Sequence, residues 1–217
     1  MNQAIQSFNE VIDAYPTGAV APASMLELGL LYAAQDRFEE ALRTFDRLEQ
    51  NFPGSEPALQ AAYEMGVAYR SLGNMEKAQA QFFTVSEQYK GTLYGDKSVI
   101  DLGLLELAQG EFSKAIEAFS DVASRRTDEV GAEAQFRIGE TFFTKQKYKD
   151  AMAAFVRVKY VYPASRDWIA RSYLKLGECY QKISERGRAR EAYQTVSRLH
   201  QDHEFGREAT RKLKELR

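Results

Sequence analysis

Apolar residues in the stretch MLELGLLYAAQ, residues 25–35, recur at intervals of three and four, the period at which side chains return to one face of an α-helix. Three ladders of small and bulky residues then run along the chain in a common phase. An alanine is followed four residues later by an aromatic at Ala4/Phe8, Ala41/Phe45, Ala78/Phe82, Ala115/Phe119, Ala151/Phe155 and Ala189/Tyr193, with successive alanines 37, 37, 37, 36 and 38 residues apart. Twelve residues ahead of each alanine but the first stands a glycine: Gly29, Gly66, Gly103, Gly139 and Gly177. Pro16, Pro53 and Pro163 follow eight residues after their aromatics.

This spacing predicts pairs of antiparallel helices. A glycine within a helix costs roughly 1 kcal/mol against alanine, so it needs a packing reason. Close approach of the neighbouring helix backbone is the expected one, with the alanine as that helix's own small residue. The aromatic one turn on shares its face and fills the space beside them. Proline stops the second helix, and Ser55, Thr92 and Ser165 stand where the next helix needs an N-cap. Twelve helices are expected, from a second-type helix at about 3–15 to a first-type helix at about 204–217. Turns fall near QDR, GN, QG and KQK, and nothing reads as a strand. One helix pair cannot bury its apolar face alone, whereas stacked pairs build a core in which each unit touches its neighbours.

Small residue in the first helix, alanine and aromatic in the second, and a closing proline together resemble the tetratricopeptide repeat. The resemblance covers essentially the whole chain. It implies an all-α, right-handed α-α superhelical solenoid forming a single domain over 1–217. The divisions are a half-repeat at 1–18, full repeats at about 19–55, 56–92, 93–128, 129–165 and 166–203, and a terminal helix at 204–217. Departures exist: the unit runs near 37 residues instead of 34. The bulky aromatic common early in the first helix is replaced by Met25, Ala62, Val99, Gln135 and Tyr173, and closing prolines are missing at Lys90, Thr127 and Gln201. The longer unit is similar to the repeats of bacterial envelope proteins, namely the periplasmic partner of the Tol–Pal system and the outer-membrane assembly lipoprotein. That likeness implies a periplasmic or outer-membrane-associated location, with the cytoplasm as the alternative. The chain opens on a second helix without its first and ends on a first helix without its second, as expected of a segment from a longer polypeptide. Half-repeats acting as caps are the other reading.

In a solenoid of this type the first helices line the concave surface. Positions three before the glycine, one after it and four after it are then expected to face the groove. They read Leu26, Leu30 and Ala33; Tyr63, Val67 and Arg70; Ile100, Leu104 and Leu107; Phe136, Glu140 and Phe143; and Leu174, Glu178 and Gln181. An apolar strip followed by acidic and polar groups suits an amphipathic helix or an extended peptide of a partner protein. Packing of these same residues between adjacent helices is the competing account. The clamp by which some members of the family grip a C-terminal carboxylate needs Lys and Asn at such positions, and Leu26, Leu30, Val67, Ile100 and Leu104 cannot supply it.

Composition narrows the function further. The chain carries 29 basic and 31 acidic residues, so its net charge of −2 gives no reason to expect nucleic acid as a partner. No apolar run approaches a membrane span. Cys179, the one cysteine, has the phase of a buried structural thiol. His200 and His203 flank a QD pair but lack a second ligand cluster, so no metal site is expected. Trp168 is expected to cover a helix end. Glu39, Glu40, Asp128 and Glu129 lie near helix starts, where negative charge complements the helix dipole. Residues 182–217 hold ten basic against six acidic residues, most simply a solvated end. No phosphate loop, zinc spacing or nucleophile–base motif is present, so no catalytic residue, no cofactor and no metal is expected. The function expected is a non-enzymatic scaffold. The alternatives are a self-assembly module, including a homodimer through the apolar face of the first helix (Ile5, Phe8, Ile12), and the regulatory arm of a larger multidomain protein.

Overall fold

A computed structural model describes residues 2–201 and 203–216. The expected helix end at Arg217 and the Asp202 of the histidine stretch lie outside those residues. Every regular element among the described residues is a helix, twelve in all: α1 (Asn2–Ala14), α2 (Ala21–Ala33), α3 (Phe38–Asn51), α4 (Glu56–Ser71), α5 (Met75–Gln88), α6 (Leu93–Ala108), α7 (Phe112–Arg125), α8 (Glu129–Thr144), α9 (Tyr148–Val161), α10 (Arg166–Lys182), α11 (Arg186–Leu199) and α12 (Glu204–Glu215). Even-numbered helices are the glycine-bearing first helices of the pairs, except α12, which ends the series unpaired. Two compact units, residues 1–102 and 103–217, divide the chain within α6.

The two units are built on the same core. In unit 1, Ala41, Phe45 and Leu48 of α3 and Ala78, Phe82 and Val85 of α5 are fully buried. In unit 2 the same places are held by Ala115, Phe119 and Val122, by Ala151, Phe155 and Val158, and by Ala189, Tyr193 and Val196. The aliphatic residue seven after the alanine is thus a fourth ladder, on the same helix face as the other two. Only α1 departs from this plan: Ala4 is exposed and Phe8 half-buried, while Ile12 is buried.

The packing reason for the ladder glycines differs from the expected one. A Cβ on Gly103 would stand 2.7 Å from the Phe119 ring, and the rings of Phe45, Phe82, Phe155 and Tyr193 press as closely on Gly29, Gly66, Gly139 and Gly177. The glycine therefore receives the aromatic ring of its own partner helix, and the alanine backbone is not the neighbour that excludes a side chain.

Proline does not set where the second helices end. Helices α5, α7 and α11 stop in the same register as α3 and α9 although Lys90, Thr127 and Gln201 stand in the proline's place. At these junctions the following helix brings a glycine onto a carbonyl of the turn: Gly95 onto Tyr89, Gly131 onto Arg126 and Gly206 onto His200. For Gly131 an added Cβ would lie 2.6 Å from the Arg126 oxygen. Where proline is present the matching residue is Ala21, Ala58 or Trp168. A closing proline and a close-approach glycine are thus alternative ways of turning the chain. Ser55 accepts from the Ala58 amide (3.3 Å) and Thr92 from that of Gly95 (3.2 Å), as expected of N-caps. Ser165 stands at the start of α10 but makes no capping hydrogen bond and is buried; at α8 the cap is Asp128, accepting from Val130 and Gly131 (3.2 Å each).

Candidate functional site

The first-helix positions expected to face a groove divide into two classes. Of the five residues three before a glycine, Leu26, Ile100, Phe136 and Leu174 are buried and Tyr63 is half-buried, so this row offers no exposed strip. The reason is lateral packing. Phe136 stacks at 5.3 Å on both Phe155 and Trp168, placing it between helices and not above them. Leu30, Tyr63, Val67, Arg70, Leu104, Leu107, Glu140, Phe143 and Glu178 are half-buried and reach the surface with part of their side chains.

In unit 1, the polar members of this set are already engaged. Tyr63 and Arg70 lie seven residues apart on one face of α4, and Asp101 of α6 stands opposite both. Tyr63 Oη donates to Asp101 Oδ2 (2.8 Å), and Arg70 pairs with Oδ1. Burial, reinforced by the Asp101 carboxylate, pushes the Tyr63 hydroxyl well above its ordinary pKa. Tyr94 donates to Gln60 at 2.6 Å, and the Lys97 ammonium lies 5.7 and 5.6 Å from the Tyr63 and Tyr94 ring centres. Unit 1 thus ties α4 to α6 by a largely desolvated polar network. The apolar face of α1 is also in use, because Ile5, Phe8 and Ile12 pack into the core with Met25 and Leu28.

Unit 2 leaves a cleft of about 170 Å³ on its first-helix face, lined by Phe136, Arg137, Glu140, Trp168, Arg171, Leu174, Lys175, Glu178, Phe205 and Glu208. Four of the expected residues meet there: Phe136, Glu140, Leu174 and Glu178. Trp168 belongs to this cleft as well, with the Arg171 guanidinium 5.3 Å from its ring and 4.9 Å from that of Phe205. Trp168 stands in the first turn of α10, with its ring against Phe136 of α8. The charges balance locally. Arg137 bridges Glu133 (3.0 Å) and Glu140 (2.8 Å), and Glu178 accepts from Lys175 and Lys212 (2.9 Å each). Burial opposes ionisation of Glu178, but the two lysines outweigh it and hold the carboxyl below its ordinary value. Cys179 is buried in the core with Phe155 and Leu176, and burial pushes its thiol up to about 12.

A second cleft, of about 330 Å³, lies on the opposite face of α10 between α9 and α11. Sequence reasoning missed it. Ile169, Ser172, Tyr173, Leu176 and Tyr180 form its α10 side, at the helical spacing complementary to that of Trp168, Arg171, Lys175 and Glu178. Tyr160 of α9, 74% exposed, stands on its lining, and the only signal in the sequence was the basic charge of α9 and α11. The His200 and His203 rings lie edge to face with centres 6.2 Å apart, and among the described residues no cluster of His, Cys, Asp and Glu could hold a metal ion. No helix among the described residues is long and apolar enough to cross a membrane.

Antiparallel pairs whose aromatic rings seat on partner glycines, repeated in one register, define an all-helical repeat solenoid. The chain belongs to the tetratricopeptide repeat family, whose profiles match residues 2–56, 26–88, 100–165 and 171–203. Solved structures sharing the fold include BtubC from P. vanneervenii, with a TM-score of 0.73 at 10% identity over 91% of this chain and 87% of that one. The MamA protein matches with a TM-score of 0.59 at 16% identity over 82% and 91% of the two chains. YrrB, a TPR protein with an unusual peptide-binding site, matches with 0.56 at 17% identity over 95% and 99%. No curated protein matches the chain. The family profiles identify the repeat and give no support to the narrower likeness to bacterial envelope proteins. Proteins of this family are generally interaction scaffolds.

Proposed function

We propose that this chain is a non-catalytic scaffold that seats a peptide or amphipathic helix of another protein against its first-helix face. The observation that carries this reading is the unit 2 cleft. There Phe136, Trp168 and Phe205 form an aromatic wall beside paired charges that can exchange partners with an incoming segment. Aromatic and arginine side chains of this kind dominate the energetics of protein interfaces. The half-buried Leu30 and Val67 of unit 1 and Leu104 and Leu107 of unit 2 supply apolar contacts for the same mode. The uninterrupted ladder supports reading the chain as one repeat domain. An envelope setting rests on the repeat phrasing alone. Self-assembly through α1 gains nothing from the packing, because the face it would use is spent on the core.

Arg171 is exposed and Glu208 lies at the rim, so reversing both charges should spare the fold. Affinity capture from the source lysate with the native chain and with an Arg171→Glu/Glu208→Lys variant tests the proposal. A partner retained by the native chain and lost by the variant, at unchanged circular dichroism, is the expected result. Equal retention by both would remove the cleft from the binding face.

A further inference from the structure

We infer that the cleft between α9 and α11 is a second docking site, built to take an acidic segment of a partner protein with an apolar side chain at its centre. It lies on the second-helix side of α10 and does not depend on the first-helix reading above.

The floor supplies the first argument. Phe155, Leu176 and Ala192 make it apolar, and among them Ser172, 1% exposed, lines the cleft with a hydroxyl that has no hydrogen-bond partner. A buried hydroxyl left unpaired is unfavourable, and a backbone carbonyl laid along the cleft would satisfy it. The walls supply the second. Val156 and Tyr160 stand exposed on α9, and the Tyr173 and Tyr180 rings close the α10 side. The volume admits one or two side chains and the backbone that carries them, not a folded domain.

Charge decides the occupant. Summed over their own spans, the second helices α1, α3, α5, α7, α9 and α11 carry −2, −2, −1, 0, +2 and +3. This ordered gradient is invisible in the near-neutral total. Both helices that flank the cleft are therefore basic. Lys159 of α9 reaches over it to donate to Tyr173 Oη (3.0 Å), and Arg188 of α11 lies on the other wall, paired with Glu185 and 5.9 Å from the Tyr180 ring centre, beside Glu191, the one acidic residue of the lining. Arg157, Arg186 and Arg190 form no ion pair among the described residues. In the first-helix cleft, by contrast, Glu178 and Arg137 are each matched by two opposite charges. An acidic segment gains attraction and faster encounter at the α9–α11 cleft that it would not find there.

The test uses a fluorescein-labelled decapeptide with a Tyr-Leu pair between two runs of four glutamates. Fluorescence anisotropy should show saturable binding to the native chain that weakens as salt rises. Lys159→Glu/Arg188→Glu should lower affinity at least about tenfold without loss of helix signal, since both side chains are exposed. Ser172→Ala should weaken the peptide about threefold while leaving the unfolding midpoint unchanged or higher. Arg171→Glu/Glu208→Lys, on the opposite face, should leave this peptide's affinity unaltered. The inference is overturned if the native chain does not bind the peptide, or if reversing Lys159 and Arg188 changes nothing. It is overturned equally if a glutamate-only peptide or a duplex oligonucleotide binds as tightly, which would mark a generic polyanion surface.

Discussion

The first-helix faces of the two units dispose of their polar groups in opposite ways. In unit 1, Tyr63 and Arg70 are consumed by Asp101, a carboxylate 38 and 31 residues further along the chain. In unit 2, the polar groups of this face stand at other register positions and are satisfied mainly within their own helices, Arg137 by Glu133 and Glu140, and Glu178 by Lys175 as well as by Lys212 of α12. The first arrangement fixes one helix against the next. The second leaves a walled cleft whose charges can be traded. One core thus carries two different surface arrangements, because the core ladders constrain the opposite side of each helix.

The largest expected effect tests whether the cores are equivalent. Phe82 and Phe155 are both fully buried, each with its ring against a first-helix glycine. Truncating either to alanine should cost about 3–5 kcal/mol, the range for a large aromatic removed from a packed core. Urea unfolding followed by circular dichroism should place the two variants within about 1 kcal/mol of each other. A wider gap would mean that the units differ beneath their surfaces too.

Smaller effects should then separate the faces. Asp101→Ala leaves Arg70 and the Tyr63 hydroxyl without their partner. Removing one member of a buried ion pair costs about 3–5 kcal/mol, and since the Arg70 side chain is 34% exposed a loss of about 2–3 kcal/mol is expected here. Glu178→Ala should cost less, about 1 kcal/mol, because Lys175 and Lys212 lie near enough to the surface to recover water. Equal losses in urea unfolding would abolish the distinction between a structural and an adaptable face.

How much of this was legible beforehand follows from what each feature depends on. The Gly29, Ala41 and Phe45 ladders answer to contacts within one helix pair, so they print residue types at fixed spacing, and all twelve helices could be read from them. The fourth ladder, Leu48 to Val196, was equally visible but unread. The site was less legible, because burial of Leu26 or Phe136 depends on how one first helix approaches the next, and nothing in a single repeat records that distance. Trp168 was expected only to cover a helix end, and its contact with Phe136, a residue of the preceding repeat, is not recorded in its own repeat. The α9–α11 cleft depends on how far two second helices stand apart. Only its charge was available from sequence, in the basic helices that the whole-chain total concealed.

The smallest effect concerns how the first helices of the two units begin. In unit 1, α4 is capped by the neutral hydroxyl of Ser55, whereas in unit 2, α8 is capped by Asp128. The hydrogen bond from Arg126 lowers the Asp128 carboxyl from 3.8 to about 2, with the Gly131 and Val130 amides adding to it against partial desolvation. A carboxylate depressed in the folded state stabilises fully above its unfolded value and loses that contribution as pH falls through its folded value. The window is therefore pH 4 down to 2, and the effect is modest because the Asp128 side chain is 47% exposed. Asp128→Asn keeps an oxygen to accept from the amides but removes the charge. The native chain should be slightly the more stable at pH 5, and the difference in urea midpoint should shrink steadily as pH falls from 4 through 2. Ser55→Ala should instead lower the midpoint by a constant amount across the same range, about 1 kcal/mol for a lost cap. A pH-dependent Ser55 effect, or a constant Asp128 effect, would show that acid sensitivity does not reside at the start of α8.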